Sequence, residues 1–438
     1  MKRISTHSPL KQLKTDRLLK RALSLTQSLC VIAWALSAVA ELAHSGHGLT
    51  EASCNLSLSE ERLVEAATKA GFQVREVKID TPRAVHSQLP FKSVDYRDEL
   101  LVTLREQYPL QKVVSSGRDE WTSQLLLKEW VHKAIPGGNP RVSARRSLEI
   151  LKLAAKGETF YCTHYTITYV ECALALGWQA RKIGVDRKHG SEGMESTHHG
   201  VAEVWSNHFR KWVVIDAQSN LHFEQRGIPL SAWEIRSEWL KNHGADVDHV
   251  VGVPAKAIRK NPAMIWWNRS HEDETSAYFW LYVEDHAVSK GAEEPTRLIF
   301  PQDSTNAGLI WYQNDDSAHR GQKHIGYLKN LFLSTNRIED AYWTVGLVEP
   351  ALTEVSHQSI RLALGSYLPN RSGYEVSFDE RDWQPVKDEK SLHWALKNGK
   401  NSLRLRTVSQ GGAKGPETSV WLRLEEKSNP QRAGSRSR

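Results

Sequence analysis

Cysteine is scarce in this sequence: the 438 residues contain four, and no two of them form a Cys-x-x-Cys pair. Pairs at that spacing are the usual signature of a structural zinc site. Long apolar runs are scarce too, since the run after the basic N-terminus covers only Leu29 to Ala40 and is too short to span a bilayer comfortably. We therefore predict no required metal, no other cofactor and no stable membrane span.

The first forty residues have the layout of a secretory signal. Seven Lys or Arg and one Asp occupy the first 21 positions, the short apolar run follows, and Ala38-Val39-Ala40 ends it before Glu41. A basic start, a short apolar run and an Ala-x-Ala end are typical of a cleaved signal peptide. We predict a signal peptide over residues 1–40 and export to the periplasm or the extracellular space. An N-terminal membrane anchor is the alternative.

The basic balance of the chain comes largely from that segment. The whole sequence carries a formal net charge of +7, and loss of the seven basic residues and one acidic residue of the signal lowers it to about +1. No nucleic-acid motif appears in the remainder, so we predict no nucleic-acid partner.

The stretch from Gly157 to Asp216 contains the candidate chemistry. Apolar residues follow Cys162 at helical spacing, namely Ile167, Val170 and Leu174. Gly177 stands where such a helix ends, so Cys162 lies at its start. There the backbone N–H groups and the helix dipole favour the thiolate, which is the nucleophilic form. A lone cysteine is more often a small buried hydrophobic residue, and the assignment therefore depends on its partners.

Two strands follow, over Val201 to Trp205 and Trp212 to Ile215, with a polar turn between them. A hairpin that pairs Trp205 with Lys211 places position 200 opposite Asp216, and we expect His199 beside that carboxylate. An imidazole held by a carboxylate and aimed at a helix-start cysteine is the arrangement used in covalent acyl transfer.

These motifs resemble the transglutaminase-like superfamily over roughly residues 118–242. The similarity rests on the helix-start cysteine, on Ala180-Arg181, on the pattern His-x-x-x-Glu-Val from His199 and on the pattern Trp-x-x-x-Asp that ends at Asp216. It implies an α+β fold whose core is a circularly permuted relative of papain. It also implies Cys162 as nucleophile, His199 as general base and acid, and Asp216 as the orienting acid.

Two features of the histidine region depart from the family pattern. The family commonly has Ala-Trp after the histidine, where this chain has Gly200-Val201, and a second histidine, His198, precedes His199. His199 stands four residues before Glu203, as the resemblance requires, and Glu203 and Trp212 match structural positions. Because successive strand residues face opposite sides, we predict that His198 lies on the wrong face and takes no part in the chemistry.

Three helices are predicted between residue 98 and the cysteine, and one after the aspartate. Their ranges are Asp98 to Gln107, Glu120 to Ile135, Ser143 to Ala155 and Leu230 to Leu240. An earlier helix with a capping box at Ser57 and Glu60 and a strand from Val74 to Ile79 precede them. The loop between Asp186 and His198 contains His189, Glu192 and Glu195, whose irregular spacing favours a solvated loop over a metal site. Asn220 and His222 are interpreted as an Asx-turn residue and an exposed histidine.

From about residue 261 the sequence changes to short aromatic-rich strands with turn signals between them. The predicted strands are Ala277 to Val283, Thr296 to Phe300, Gly308 to Tyr312, Tyr342 to Leu347, Ile360 to Leu364, Tyr374 to Phe378, Ser402 to Thr407 and Ser419 to Leu424. This pattern favours one or two immunoglobulin-like β-sandwich domains. Core positions are predicted for Trp383, Trp394 and Trp421, with a carbohydrate-binding aromatic platform as the alternative.

The predicted domain order has five parts: the signal (1–40), an N-terminal α/β region (41–117), the transglutaminase-like core (118–255), the β-sandwich region (256–426) and a disordered tail (427–438). The resemblance implies a cysteine hydrolase or acyltransferase that acts on amide bonds of a protein or peptide, as a protease or amidase or as a protein-glutamine transglutaminase. A non-catalytic binding or scaffold protein that uses the sandwich is the alternative.

Overall fold

The computed structural model describes residues 58–81, 83–89, 93–186, 198–258, 274–284, 296–301, 303 and 330–427, which belong to one compact unit. Several predictions fall outside these residues. They are the signal peptide, Ser57, Cys54, the loop residues His189, Glu192 and Glu195, the strand Gly308 to Tyr312, and all but the first residue of the tail. Within the described ranges no helix is long and apolar enough to cross a membrane.

The described helices include the three predicted before the cysteine. Their bounds are α1 Glu60–Lys69, α2 Glu99–Gln107, α3 Leu110–Val114, α4 Glu120–Ala134, α5 Ser147–Ala154, α6 Cys162–Ala175 and α7 Ala232–Asn242. Asp98 and Asp119 cap α2 and α4 by accepting backbone N–H bonds, as a carboxylate at a helix start does. The N-cap of α1 is Ser59, whose hydroxyl accepts from the Arg62 N–H.

Eighteen strands occur in the described residues. They are β1 Phe72–Asp80, β2 Ala180–Asp186, β3 His199–Ser206, β4 Lys211–Ile215, β5 Leu221–Gln225, β6 Ile228–Pro229, β7 Asp248–Val251, β8 Lys256–Ile258, β9 Trp280–Glu284, β10 Thr296–Pro301, β11 Asn330–Thr335, β12 Glu349–Ser356, β13 Ser359–Gly365, β14 Arg371–Phe378, β15 Gln384–Pro385, β16 Leu392–Ala395, β17 Gly399–Ser409 and β18 Thr418–Glu426. The chain is therefore a mixed α/β protein with several largely antiparallel sheets.

A six-stranded sheet in the order β11-β10-β9-β2-β3-β4 forms the centre of the core. One face carries Ala202, Val204 and Ile215 and packs on α2 to α6. The other face carries Val201 and Val283 and packs on a small sheet, β6-β5-β7-β8, and on α7. Each strand of the β3–β4 hairpin is buried on both faces, which is why the sequence there is almost continuously apolar.

The sequence pattern predicts that the strands after residue 256 belong to the β-sandwich region. In the structure β9, β10 and β11 instead extend the core sheet beyond β2, and Lys182 pairs with Glu284 across that junction. The predicted strand from Tyr342 to Leu347 is an irregular, largely buried segment. Short apolar runs predict a strand but not the sheet it joins, because that choice depends on residues a hundred positions away.

A second body, made of α1, β1 and β12 to β18, contains both ends of the described chain. Strand β1 pairs with β18 at the edge of the sheet β1-β18-β17-β14-β15, and a three-stranded sheet, β12-β13-β16, completes it. Both sheets and α1 bury one apolar cluster, which includes Leu63, Phe72 and Trp394. Trp394 is thus a core residue as predicted. Trp383 and Trp421 are half-buried, and the Arg404 and Arg406 guanidiniums cover the Trp383 ring.

Candidate active site

Cys162 is the first residue of α6, as the sequence predicts. The preceding residue, Tyr161, is extended and offers no side-chain cap, so the thiol lies beside first-turn N–H groups without a competing carboxylate or hydroxyl from its own N-cap. The helix is held against the sheet by Thr166, whose hydroxyl donates to the Gly200 carbonyl at 2.8 Å. The helix start and the beginning of β3 are therefore joined directly.

The β3–β4 hairpin has a register one residue away from the predicted one. Trp205 pairs with Trp212, and Ala202 pairs with Ile215. Continued by one step, this register puts Val201 opposite Asp216. His199 and Val201 share a face because side chains alternate along a strand, so the observed register brings His199 and Asp216 to the same face. The predicted register would have put His199 and Asp216 on opposite faces. The two residues are neighbours as expected, but because of the observed register and not the predicted one.

His199 Nε2 lies 2.9 Å from Asp216 Oδ2, and both side chains are buried. The other carboxylate oxygen of Asp216 accepts the Ser219 N–H at 3.1 Å. Cys162 forms a hydrogen bond with His199 through its thiol. Because Nε2 is engaged by Asp216, Nδ1 is the nitrogen that remains for the sulfur. The structure thus brings all three predicted site residues together.

The electrostatics favour an ion pair between Cys162 and His199. Burial favours the neutral thiol, but the hydrogen bond and charge of His199, the charge of His198 and the Gly200 N–H together lower the pKa of Cys162 to about 7. Burial likewise disfavours the charged imidazole, yet the Asp216 carboxylate and the thiolate raise the pKa of His199. Near neutral pH a large share of the site is therefore thiolate and imidazolium.

Cys172, on the same helix, has the opposite environment. It is fully buried and unpaired among the described residues, and burial raises its pKa. A thiol without a stabilised thiolate is a poor nucleophile. Of the two described cysteines, only Cys162 has the electrostatics of a reactive group.

The structure places His198 where the sequence interpretation did not expect it. Asp186 Oδ2 lies 3.1 Å from His198 Nδ1, and the ring lies parallel to that of Tyr282 at a centroid distance of 6.2 Å. His198 does face away from His199, but its side of the strand is the side of Gly200, and a Cβ added to Gly200 would lie 3.4 Å from Thr163 Oγ1. His198 therefore lies on the opposite face from His199, as predicted, but that face also meets the start of α6.

Glu203 and Trp212, which the resemblance matches to structural positions, both contact the buried guanidinium of Arg181. Arg181 and Glu203 are fully buried and form an ion pair at 2.6 Å, and the Arg181 guanidinium lies 4.0 Å from the Trp212 ring centre. Glu203 also accepts from the Ala232 N–H and the Tyr342 hydroxyl. These bonds fasten α7 and the irregular segment after β11 to the sheet, which gives the group a structural role.

Behind Asp216 lies a buried polar chain that the sequence interpretation missed. The Lys128 amine is fully buried and lies 3.4 Å from His222 Nδ1, and His222 Nε2 lies 2.8 Å from Glu224 Oε1. Burial lowers the pKa of Lys128 to about 7, although the charge of Asp216 opposes the shift. His222 is fully buried, so the expectation of an exposed histidine is wrong. A signal was present, because Lys128 shares the helical stripe of Gln124 and Val131.

No family model and no curated protein matches the sequence. Among solved structures, a candidate cysteine protease from Cytophaga hutchinsonii is 12% identical over 28% of this chain and 40% of that protein, with a TM-score of 0.23. Red sea bream transglutaminase is 11% identical over 84% of this chain and 79% of that protein, also with a TM-score of 0.23. The match thus spans less than half of the first protein, and neither likeness is strong enough to carry an argument.

Proposed function

We propose that this chain is an exported enzyme of transglutaminase-like fold that cleaves or transfers acyl groups of protein or peptide amides through a thioester on Cys162. The observation that supports the proposal most is the position of His199, which lies 2.9 Å from the Asp216 carboxylate and is hydrogen-bonded to the Cys162 thiol. A nucleophile, a base and an orienting carboxylate in that order are the requirements of covalent acyl transfer.

The first half of the reaction forms the thioester. The Cys162 thiolate attacks the amide carbonyl carbon, a C–S bond forms, and the carbonyl electrons move to oxygen. The helix-start N–H of Cys162 stabilises that oxyanion. Collapse of the intermediate breaks the C–N bond, and the His199 imidazolium gives its proton to the leaving amine. Asp216 keeps the ring oriented throughout and is not itself protonated.

The second half regenerates the thiol. Neutral His199 takes a proton from water, the hydroxide oxygen attacks the thioester carbonyl, and the C–S bond breaks to release the carboxylic acid. An amine in place of water would give transamidation. We favour hydrolysis because nothing in the sequence marks a dedicated amine site.

The test compares variants on a panel of fluorogenic peptide amides and on a glutamine-containing peptide with hydroxylamine as acceptor. Cys162→Ala and His199→Ala should each lower the rate by about three orders of magnitude or more, because members of such a unit fail together. Asp216→Asn should be severe but milder.

Cys172→Ala is the matched control and should keep full activity, since Cys172 is buried away from the site. Equal rates for the wild type and Cys162→Ala would refute the enzyme proposal. If the wild type and every variant were equally inert yet bound a common ligand, the binding-protein alternative would replace it.

A further inference from the structure

Two imidazole–carboxylate pairs lie at the start of α6. The first is His199 with Asp216, and the second is His198 with Asp186, at 3.1 Å. Strand pairing accounts for the second pair: β2 and β3 align Val185 with His199, so the next step places Asp186 opposite His198. A carboxylate directly opposite a histidine is close enough to hold it in one orientation and to favour its charged form.

The second pair differs from the first in its access to solvent. The His198 side chain is 27% exposed, whereas those of His199 and Asp216 are 7% and 2% exposed. Asp186 itself is buried, at the end of a strand in the middle of the sheet. His198 is thus held by buried Asp186 on one side and is partly accessible to solvent on the other, at the edge of the site.

The surroundings of His198 among the described residues are well defined. Asp186 from β2 faces it, Tyr282 from β9 lies parallel to its ring, and His199 follows it on β3. From α6, the Cys162 thiolate interacts with it electrostatically. The attraction to the two anions outweighs burial and the repulsion from His199, and the pKa of His198 is raised.

We propose that His198, held by Asp186, is a positioning residue that supplies a second positive charge to the Cys162 thiolate. His199 exchanges protons with the sulfur and the substrate, so its charge changes during the reaction. His198 stays out of that exchange, and its constant charge favours the thiolate of the resting enzyme together with the His199 imidazolium. This inference deepens the proposed function and rests on Cys162 as the nucleophile.

The test measures the pH dependence of iodoacetamide alkylation at Cys162, followed by peptide mapping so that each cysteine is scored separately. His198→Gln should move the midpoint of the alkylation profile upward by about one pH unit. Alkylation should then be up to tenfold slower below the wild-type midpoint. At pH 9 the two proteins should react equally fast, because both thiols are ionised there.

Three further variants make the result specific. His198→Lys keeps a positive charge and should restore the midpoint, whereas Asp186→Asn should shift it in the same direction as His198→Gln. His208→Gln removes an exposed histidine at the far end of the hairpin and should change nothing.

An unchanged midpoint in His198→Gln would overturn the inference, and so would a loss of rate that is equal at every pH, since that pattern indicates displaced geometry. If His198→Gln fails to fold by circular dichroism, Asp186→Asn decides by the same criterion. The proposed function fails separately, through an ordinary thiol midpoint in the wild type that His199→Ala leaves unchanged.

Discussion

At the level of single residues, burial of Lys128 lowers the stability of the folded state. Its amine is fully buried, and burial lowers its pKa from 10.5 to about 7. Between about pH 7 and pH 10.5, Lys128 therefore holds a proton in the unfolded chain that it lacks in the folded chain. Stability rises with pH wherever the unfolded state holds more protons. Lys128 thus destabilises the native state most at and below pH 7, and less as the pH rises through that window.

Lys128→Met should raise the free energy of unfolding by about 2–4 kcal/mol at pH 7, and the gain should shrink towards pH 10. Urea denaturation at both pH values measures it. Lys133→Met, which removes an exposed lysine from the same helix, should have almost no effect at either pH. A Lys128→Met protein less stable than the wild type at pH 7 would mean that the contact with His222 outweighs the burial cost.

At the scale of elements, the distance between α6 and β3 sets the geometry of the candidate site. Gly200 faces Thr163 across that gap. A Cβ added to Gly200 would lie 3.4 to 3.5 Å from atoms of Thr163, which is an ordinary contact distance. One methyl group therefore fits there without displacing the helix.

The element-scale prediction compares two substitutions at that position. Gly200→Ala should raise the free energy of unfolding by about 0.5–1 kcal/mol, because a strand glycine gains most from reduced freedom of the unfolded chain. Cys162 should keep its alkylation rate. Gly200→Val should push the helix start away, lower stability by about 1–3 kcal/mol and slow alkylation. Thermal unfolding and peptide-mapped alkylation measure both effects. Damage from Gly200→Ala equal to that from Gly200→Val would show that the gap is tighter than the structure has it.

At the scale of the whole molecule, the helix that begins at Cys162 ends against the second body. Gly177, with φ of +88°, closes α6, and Asn370 donates to its carbonyl at 2.9 Å. A Cβ on Gly411 would lie 2.7 Å from both the Gly177 Cα and the Leu176 carbonyl oxygen. Backbone meets backbone there, so neither side can yield without moving the helix or the loop after β17.

Gly411→Ala should therefore lower the free energy of unfolding by about 1–3 kcal/mol. Gly373→Ala, where nothing lies within 4 Å of the added carbon, is the matched control and should be neutral or slightly stabilising. Denaturant unfolding of the full chain distinguishes them. Equal stability of the two variants would show that the contact between the end of α6 and the second body does not contribute to the free energy of unfolding. A fall in stability together with slower Cys162 alkylation would show that the second body also supports the site.

Local patterns were enough for several features of this protein. Helical spacing and a terminal glycine predicted α6, including the position of Cys162 at its start, and the predicted ranges of α2 and α4 match the structure to within a few residues. The order of cysteine, histidine and aspartate also indicated the chemistry now proposed. These signals are local because a helix is specified by residues three or four apart and a cap by residues still closer.

Other features depended on contacts between distant parts of the chain. The register of the hairpin, the sheet joined by β9 to β11, and the pairing of β1 with β18 are choices among strands that are alike in sequence. The burial of Lys128 and His222 and the facing of His198 towards α6 follow from what packs against them. A one-residue change of register reverses which face each side chain occupies. For that reason local sequence limits the set of residues that can form the site, whereas the packing of distant strands and helices sets which of them meet.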